Sequence, residues 1–261
     1  MTYCKFTEKG LTRAESCALK KLVVIARRLP QDKIEKCVEA VIEGGVRFIE
    51  STFDQSDPDC IHAVFEKVKA NFGRIDSLVA NAADPGYNQS ILSTTPEQYD
   101  HVMNSNARGY FFCCQEAAKL MIEGGRGGSI VLIGSVHSKG AIPNRITYAS
   151  SKGAIDVMNR NMCYELGKFG IRSNVIIVGA VYNDRWVDYT PEDYEKKRAN
   201  WPVGIESYPE DIANSAYFLC SDQAKTISGS ELTVDSGVMS VLLSYNKNWD
   251  AEKDAREKLV K

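Results

Sequence analysis

The sequence predicts an α/β protein built on a parallel sheet covered by helices on both faces, a doubly wound arrangement. Three observations carry this reading. From Lys21 onward, short apolar runs alternate with stretches of helical periodicity. The strongest run, 129–134 (SIVLIG), holds no charged residue, so both of its faces must be buried. The chain has 261 residues, enough to bury a large core without staples, and no linker, repeat or low-complexity tract divides it. One domain is expected over 1–245, with an atypical start over 1–20 and a charged tail over 246–261.

The elements follow in order. Residues 22–26 read as a strand. Residues 31–43 read as a helix, with Ile34, Cys37, Val38 and Val41 on one stripe. A strand over 46–53, a helix over 61–72 and a strand over 77–80 come next. Thr95-Pro96-Glu97-Gln98 is a capping box with proline at the first helical position, so a helix starts there. After the strand at 129–134, a long helix runs over 148–168 and a strand over 173–178. A helix over 209–220 and a short strand over 231–234 close the pattern.

Composition excludes several classes. The formal net charge of −2 leaves no electrostatic footprint for nucleic acid. No apolar run reaches the length of a membrane span, and the start is too polar for a secretory signal. A cytoplasmic location is expected. The eight cysteines form no CxxC pair and read as reduced thiols filling core gaps. With only three histidines, none at ligand spacing from a cysteine, no metal is expected.

Two stretches read Y-x-x-x-K, namely 148–152 (YASSK) and 164–168 (YELGK). Any helical tyrosine can meet a lysine one turn on, so the spacing alone decides nothing. Context separates them. Ser135 lies thirteen residues before Tyr148, directly after the strand at 129–134. Ligands of open α/β sheets bind at the carboxyl ends of strands. The equivalent residue before Tyr164 is Ser151, inside a helix, so Tyr164 and Lys168 read as a surface pair. A tyrosine titrates near pH 10, and an ammonium one turn away favours its phenolate. A serine hydroxyl can hold an oxygen where charge develops. On spacing alone, Ser135 and Tyr148 read equally well as polar residues that end a strand and open a helix.

Further motifs decide between these readings. The segments 72–76 (FGRID), 78–83 (LVANAA), 106–109 (NARG), 170–174 (GIRSN) and 228–237 (SGSELTVDSG) follow in order. With the Ser-Tyr-Lys set, they make the chain over about 21–237 resemble the short-chain dehydrogenase/reductase family. The resemblance implies a Rossmann-like sheet and a nicotinamide cofactor, NAD or NADP. It implies Ser135, Tyr148 and Lys152 as catalytic residues, with Asn106 supporting Lys152 through a water, although Asn104 lies close by. It implies a cofactor site lined by Asp54, Asn81, Ala82, Tyr148, Lys152, Gly179 and Val181.

The chain also departs from that family. Members carry TGxxxGxG after the first strand, where a helix N-terminus receives the pyrophosphate. Here the nearest approximation is 7–14 (TEKGLTRA), with no apolar strand before it. The first strand and the glycine-rich loop are read as degenerate or missing, and weak cofactor binding is expected. The family's proline before Gly179 is Val178, and Asn183 replaces a following threonine. Arg27-Arg28 after the first recognisable strand would accept a 2′-phosphate. Residues 22–60, including 43–53 (EGGVRFIESTF), resemble the first βαβ unit of keto-deoxy-phosphogluconate aldolases, where the glutamate matching Glu50 is an acid/base. No later segment resembles the aldolase lysine strand, so that activity is not carried over.

The implied function is an oxidoreductase that interconverts an alcohol and a carbonyl with NAD(P). The rival reading is a chain of the same fold that has lost its cofactor and acts as a scaffold or binding protein. The loop 181–207, with Tyr182, Trp186, Tyr189, Tyr194 and Trp201, suits a ligand lid or a self-packed cover. The family resemblance implies a homodimer or homotetramer. The stripe of Phe111, Cys114, Ala118 and Met121 and that of Val157, Met158 and Met162 would pair across a two-fold axis or face the sheet.

Overall fold

The computed structural model describes residues 21–25 and 47–51 as backbone, and 54–183 and 186–241 in full. The expected helix at 31–43, the start at 7–14, Arg27, Arg28 and the tail from 246 lie outside the described residues. The side chain of Glu50 does too.

Among the described residues six parallel strands form a sheet: β1 (Lys21–Ile25), β2 (Arg47–Ser51), β3 (Ser77–Ala80), β4 (Gly128–Ile133), β5 (Ile171–Val178) and β6 (Glu231–Val234). Their order is β2-β1-β3-β4-β5-β6. Val23 pairs with Leu78, Leu78 with Ile130, and Ile130 with Ser173. The sheet is therefore the doubly wound parallel one that the sequence predicts. β1 lies directly against β3. The order reverses between β1 and β3, which puts the ligand crevice of such sheets at their carboxyl ends.

The helices among the described residues are α1 (Pro58–Phe72), α2 (Pro96–Met103), α3 (Gly109–Gly124), α4 (Ile146–Leu166), α5 (Pro191–Arg198) and α6 (Pro209–Cys220). α1 starts three residues before the expected 61, because Asp57 caps it by accepting from the Asp59 N–H and Pro58 takes the first turn. The Thr95–Gln98 capping box forms as read. Between α2 and α3, Asn104–Arg108 is a single π turn.

Strand alternation divides the core. Leu78, Ile130, Leu132, Val175 and Ile177 face α1, α3 and α4, meeting Phe65, Tyr110, Met121 and Ile155. Val79, Val131, Ile133 and Ile176 face α6, meeting Ala216, Leu219 and Cys220. Each such large side chain contributes about 1.5–3 kcal/mol by leaving water. Cys113 and Cys114 are buried free thiols, Cys220 is buried as well, and burial pushes the Cys114 thiol up to about 12. Among the described residues no helix is long and apolar enough to cross a membrane.

The two late motifs act on each other. Asn174 donates from Nδ2 to the Ile227 carbonyl at 2.9 Å and accepts from the Ser230 N–H at 3.1 Å. Arg172 donates to the Ile227 and Leu219 carbonyls, and Ser173 Oγ donates to Asn159 Oδ1 at 2.9 Å. The 170–174 and 228–237 segments thus tie β6 to β5 and α6 and to the far turns of α4. These bonds are structural ties between the elements.

The expected interface stripes are corrected in part. Cys114, Ala118 and Met121 are buried against the sheet, because they share the face of α3 that carries Tyr110. Phe111 and Val157 are exposed.

Gly109 shows why a glycine follows the π turn. A Cβ there would lie 2.5 Å from the Gln55 carbonyl oxygen, whereas one at Gly124 would meet nothing within 4 Å. Gly109→Ala is expected to lower stability by about 1–3 kcal/mol through overpacking. Gly124→Ala is expected to be neutral or to add up to about 1 kcal/mol. Denaturant melts of the two variants check this, and equal effects would contradict the close approach.

Candidate active site

The residues singled out in the sequence gather at the carboxyl end of the sheet, where strand ends meet the start of α4. β4 ends at Ile133, and Gly134 leads into Ser135, whose extended backbone starts a one-turn 3-10 segment, Val136–Ser138. Ser135 caps that turn: its Oγ accepts from the His137 N–H at 3.2 Å. α4 begins at Ile146 and carries Tyr148 in its first turn and Lys152 one turn on. The predicted Ser135, Tyr148 and Lys152 therefore meet at one end of the sheet. Ser135 is buried and Tyr148 half-buried.

Lys152 is 1% exposed. Its Nζ donates to the Ile133 carbonyl at 2.7 Å and lies 5.2 Å from the Tyr110 ring centre and 5.7 Å from that of Tyr148. Burial pushes its pKa down to about 7, opposed by the negative charge of Asp156 one turn further along α4. Asp156 is itself buried, and its Oδ2 takes a 3.0 Å ion pair from Lys139. The second Y-x-x-x-K behaves differently. Tyr164, on the same helix, is 89% exposed, and Lys168 covers the Phe169 ring.

Asn106 lies in the π turn and is fully buried. Its Oδ1 accepts from the Asp84 N–H at 2.7 Å; its Nδ2 donates to the Asp84 carbonyl at 2.8 Å and to Ser151 Oγ at 3.1 Å. Ser151 Oγ in turn donates to the Tyr148 carbonyl at 2.7 Å. The Asn106 side chain thus clasps the loop after β3 to Ser151 in the second turn of α4, beside Lys152. π turns of this kind collect at functional sites.

The expected cofactor residues line the same edge. Asn81 follows β3 and is exposed; Ala82 is buried. The Ala82 carbonyl accepts from Gln55 Nε2 at 2.7 Å. Asp54 is exposed and turns its carboxylate on Ser56, accepting from its N–H at 2.9 Å and its hydroxyl at 2.7 Å. Gly179 is needed for packing: a Cβ there would lie 2.7 Å from the Asp235 Cα. Val181 pairs with Ser207 across the mouth of the loop, and Asn183 Nδ2 donates to the Val181 carbonyl.

Sequence reasoning missed three groups. Gln55 stands next to the predicted Asp54 but is buried, and it bridges Ala82 and Ser105. Ser151 entered only as a decoy. His137 lies two residues after Ser135, with Nδ1 3.0 Å from Ser135 Oγ and its ring edge-on to Tyr148 at 5.2 Å. Its place on a strand-end turn was the available signal. Burial, then the charges of Arg145 and Lys152, hold its pKa below the ordinary value.

The loop after β5 packs on itself. Trp186 stacks on Tyr189 and Trp201 at 5.6 and 6.1 Å, Tyr182 on Tyr208 at 5.3 Å, and Lys197 lies over Trp186. Arg198 grips Glu206 through two 2.8 Å hydrogen bonds, which hold that carboxyl down to about 2. Both tryptophans are buried. Much of the aromatic surface expected to face a ligand is used within the loop, because stacked rings satisfy each other.

Comparison with known proteins agrees with this geometry. A family model described as enoyl-(acyl carrier protein) reductase matches residues 10–239. L-rhamnose-1-dehydrogenase of Scheffersomyces stipitis is 30% identical over 222 residues, spanning 82% of this chain and 85% of that protein. Carbonyl reductase (NADPH) 2 of Sus scrofa is 36% identical over 177 residues, spanning 67% and 72%. A gluconate 5-dehydrogenase from Burkholderia cenocepacia, solved with NADP and tartrate, superposes with a TM-score of 0.73 at 22% identity, covering 85% of this chain and 96% of that one. The chain belongs to the short-chain dehydrogenase/reductase family of NAD(P)-dependent oxidoreductases.

Proposed function

We propose that the chain interconverts a small-molecule alcohol and its carbonyl, with Tyr148 as acid/base, Lys152 as its partner and Ser135 as the group that holds the reacting oxygen. The observation that carries this is the placement of a buried ammonium, a half-buried phenol and a serine hydroxyl at one carboxyl edge of the sheet.

The residues present fit a nicotinamide cofactor at its ribose end. Lys152 Nζ carries three N–H donors, and among the described residues its one hydrogen-bond acceptor is the Ile133 carbonyl. Donors are left for ribose hydroxyls. When bound, the cofactor supplies or takes up the hydride. In the oxidising direction the Tyr148 phenolate takes the alcohol proton, and in the reducing direction the phenol returns it. The positive charge of Lys152 favours the phenolate in both. The Ser135 hydroxyl donates to the oxygen as negative charge collects there. Asn106 and Ser151 fix the first turn of α4, so Asn106 is a positioning residue. Asn81, Ala82, Gly179 and Val181 line the cofactor edge, and Asp54 closes it near the adenine.

The absent glycine motif makes the pyrophosphate end poor in N–H donors. Charge-assisted hydrogen bonds are worth about 1.5–3 kcal/mol each, so losing two weakens binding by roughly a few hundred-fold or more. The aldolase-like start contributes the strands Lys21–Ile25 and Arg47–Ser51 and no aldolase activity. The exposed Phe111 and Val157 suit a homodimer or homotetramer, and a reducing cytoplasm suits the free thiols.

Three outcomes are expected. In assays of L-rhamnose and D-gluconate with NAD⁺ or NADP⁺, Tyr148→Phe lowers turnover by about 10²–10⁴-fold and Tyr164→Phe leaves it unchanged. Equal losses at both tyrosines would point to a structural cause. Calorimetry gives dissociation constants for NAD(H) and NADP(H) well above micromolar; tight binding of either would contradict the weakened cradle.

The third outcome concerns stability. Lys152 titrates near 10.5 unfolded and near 7 folded. The unfolded chain therefore binds more protons between these values, and burial of the lysine costs most below about pH 7. The cost fades as pH rises toward 10.5. Lys152→Met should raise stability by a few kcal/mol at pH 6, on the order of the linkage energy. The gain should shrink at pH 9.5. Melting curves at the two pH values check this, and a pH-independent difference would contradict it.

A further inference from the structure

We propose that His137 is a positioning residue for Ser135: in its Nδ1–H form the imidazole donates to Ser135 Oγ and turns the serine hydroxyl toward the reacting oxygen. The inference rests on the oxidoreductase reading of this site and adds a residue to it.

The geometry sets the argument. Ser135 Oγ has one proton and two lone pairs. One lone pair is taken by the His137 backbone N–H at 3.2 Å. The His137 ring presents Nδ1 to the same oxygen at 3.0 Å. If Nδ1 is bare, the serine proton must satisfy it, and the hydroxyl then points inward with nothing to offer a ligand. If Nδ1 carries the hydrogen, both lone pairs are filled from the His137 side. The serine proton is then the one group left over, and it points to the open edge shared with Tyr148. The tautomer of His137 therefore decides whether Ser135 can act as a donor.

The surroundings keep the ring in place and neutral. Its edge-on contact with Tyr148, at 5.2 Å between centres and 88° between planes, fixes the ring plane. Burial opposes a second ring proton first, then the charged groups that face it, Arg145, which precedes α4, and Lys152 within α4. A neutral imidazole has one N–H to place, and Ser135 Oγ is the oxygen set to receive it. The catalytic acid/base and the oxygen-holding serine are thus linked through one ring, which touches Tyr148 by its edge and Ser135 by its nitrogen.

Two measurements test this. The first needs neither cofactor nor substrate. The chain has three histidines, and long-range proton–nitrogen spectra of the ¹⁵N-labelled protein resolve each ring, with His137 identified by its loss in His137→Asn. The expected result at pH 7 is a neutral His137 ring protonated at Nδ1. Its nitrogen shifts should move in Ser135→Ala while those of His62 and His101 stay. A bare Nδ1, or a His137 ring indifferent to Ser135→Ala, would overturn the inference. The second compares variants on whichever of L-rhamnose or D-gluconate the wild type turns over. His137→Phe keeps the ring contact and loses the donor, and should lower kcat by about ten-fold with KM little changed. His137→Asn places an amide N–H near the Nδ1 position and should restore most of the loss. A Phe variant with wild-type kcat, or an Asn variant as impaired as Phe, would overturn it. A wild type that turns over neither substrate counts against the function reading, and the ring spectra then decide the inference alone.

Discussion

The ammonium of Lys152 is out of water, and the architecture at this end of the sheet follows from having to hold it there. A buried charge must be paired or must give up its proton. Here it gets one carbonyl, that of Ile133 at the last residue of β4, the faces of Tyr110 and Tyr148, and the more distant charge of Asp156. β4 must therefore end where it does, α3 must bring Tyr110 beneath the lysine, and α4 must pass close enough for Nζ to reach the strand end. The half-compensated charge brings the lysine to about 7, so it changes state near neutral pH. The same burial that makes it useful to a neighbouring phenol makes it costly to the fold.

The clasp around Asn106 keeps these parts in register. One side chain uses its oxygen and its amide on Asp84 and reaches Ser151, in the turn that carries both Tyr148 and Lys152. The π turn aims Asn106 inward, and Gly109 lets α3 close on Gln55, which holds Ala82. A few buried polar bonds, each worth about 1 kcal/mol net, thus fix the distance between the Tyr148–Lys152 stretch of α4 and the loop after β3. At the opposite side of the sheet, Arg172, Ser173 and Asn174 do the equivalent for β6.

Much of this was legible in the sequence, for identifiable reasons. The strands at 77–80 and 231–234 and the helix at 209–220 agree with the expected bounds, since apolar runs, proline at the first turn and capping boxes are local signals. The Ser135–Tyr148–Lys152 set was legible because a strand end and a helix start at fixed spacing force the meeting, and the exposed Tyr164 lacked that context. What escaped were tertiary facts. No periodicity says that Gln55 rather than Asp54 turns inward, since adjacent residues in a turn differ only in direction. The inward face of Cys114, Ala118 and Met121 depends on which side of α3 meets the sheet. The stacking of Trp186, Tyr189 and Trp201 within their own loop depends on its fold. The close pairing of His137 with Ser135 needed the 3-10 turn to be seen.

The central claim is that burial, not a neighbouring anion, sets the state of Lys152. Its side-chain amine can be followed directly by a carbon-detected NMR titration of the ε-methylene in the cofactor-free protein, assigned by comparison with Lys152→Met. The account predicts a midpoint of about 7. A midpoint at the ordinary 10.5 would contradict it, because the ammonium would then be as well solvated or paired as on the surface.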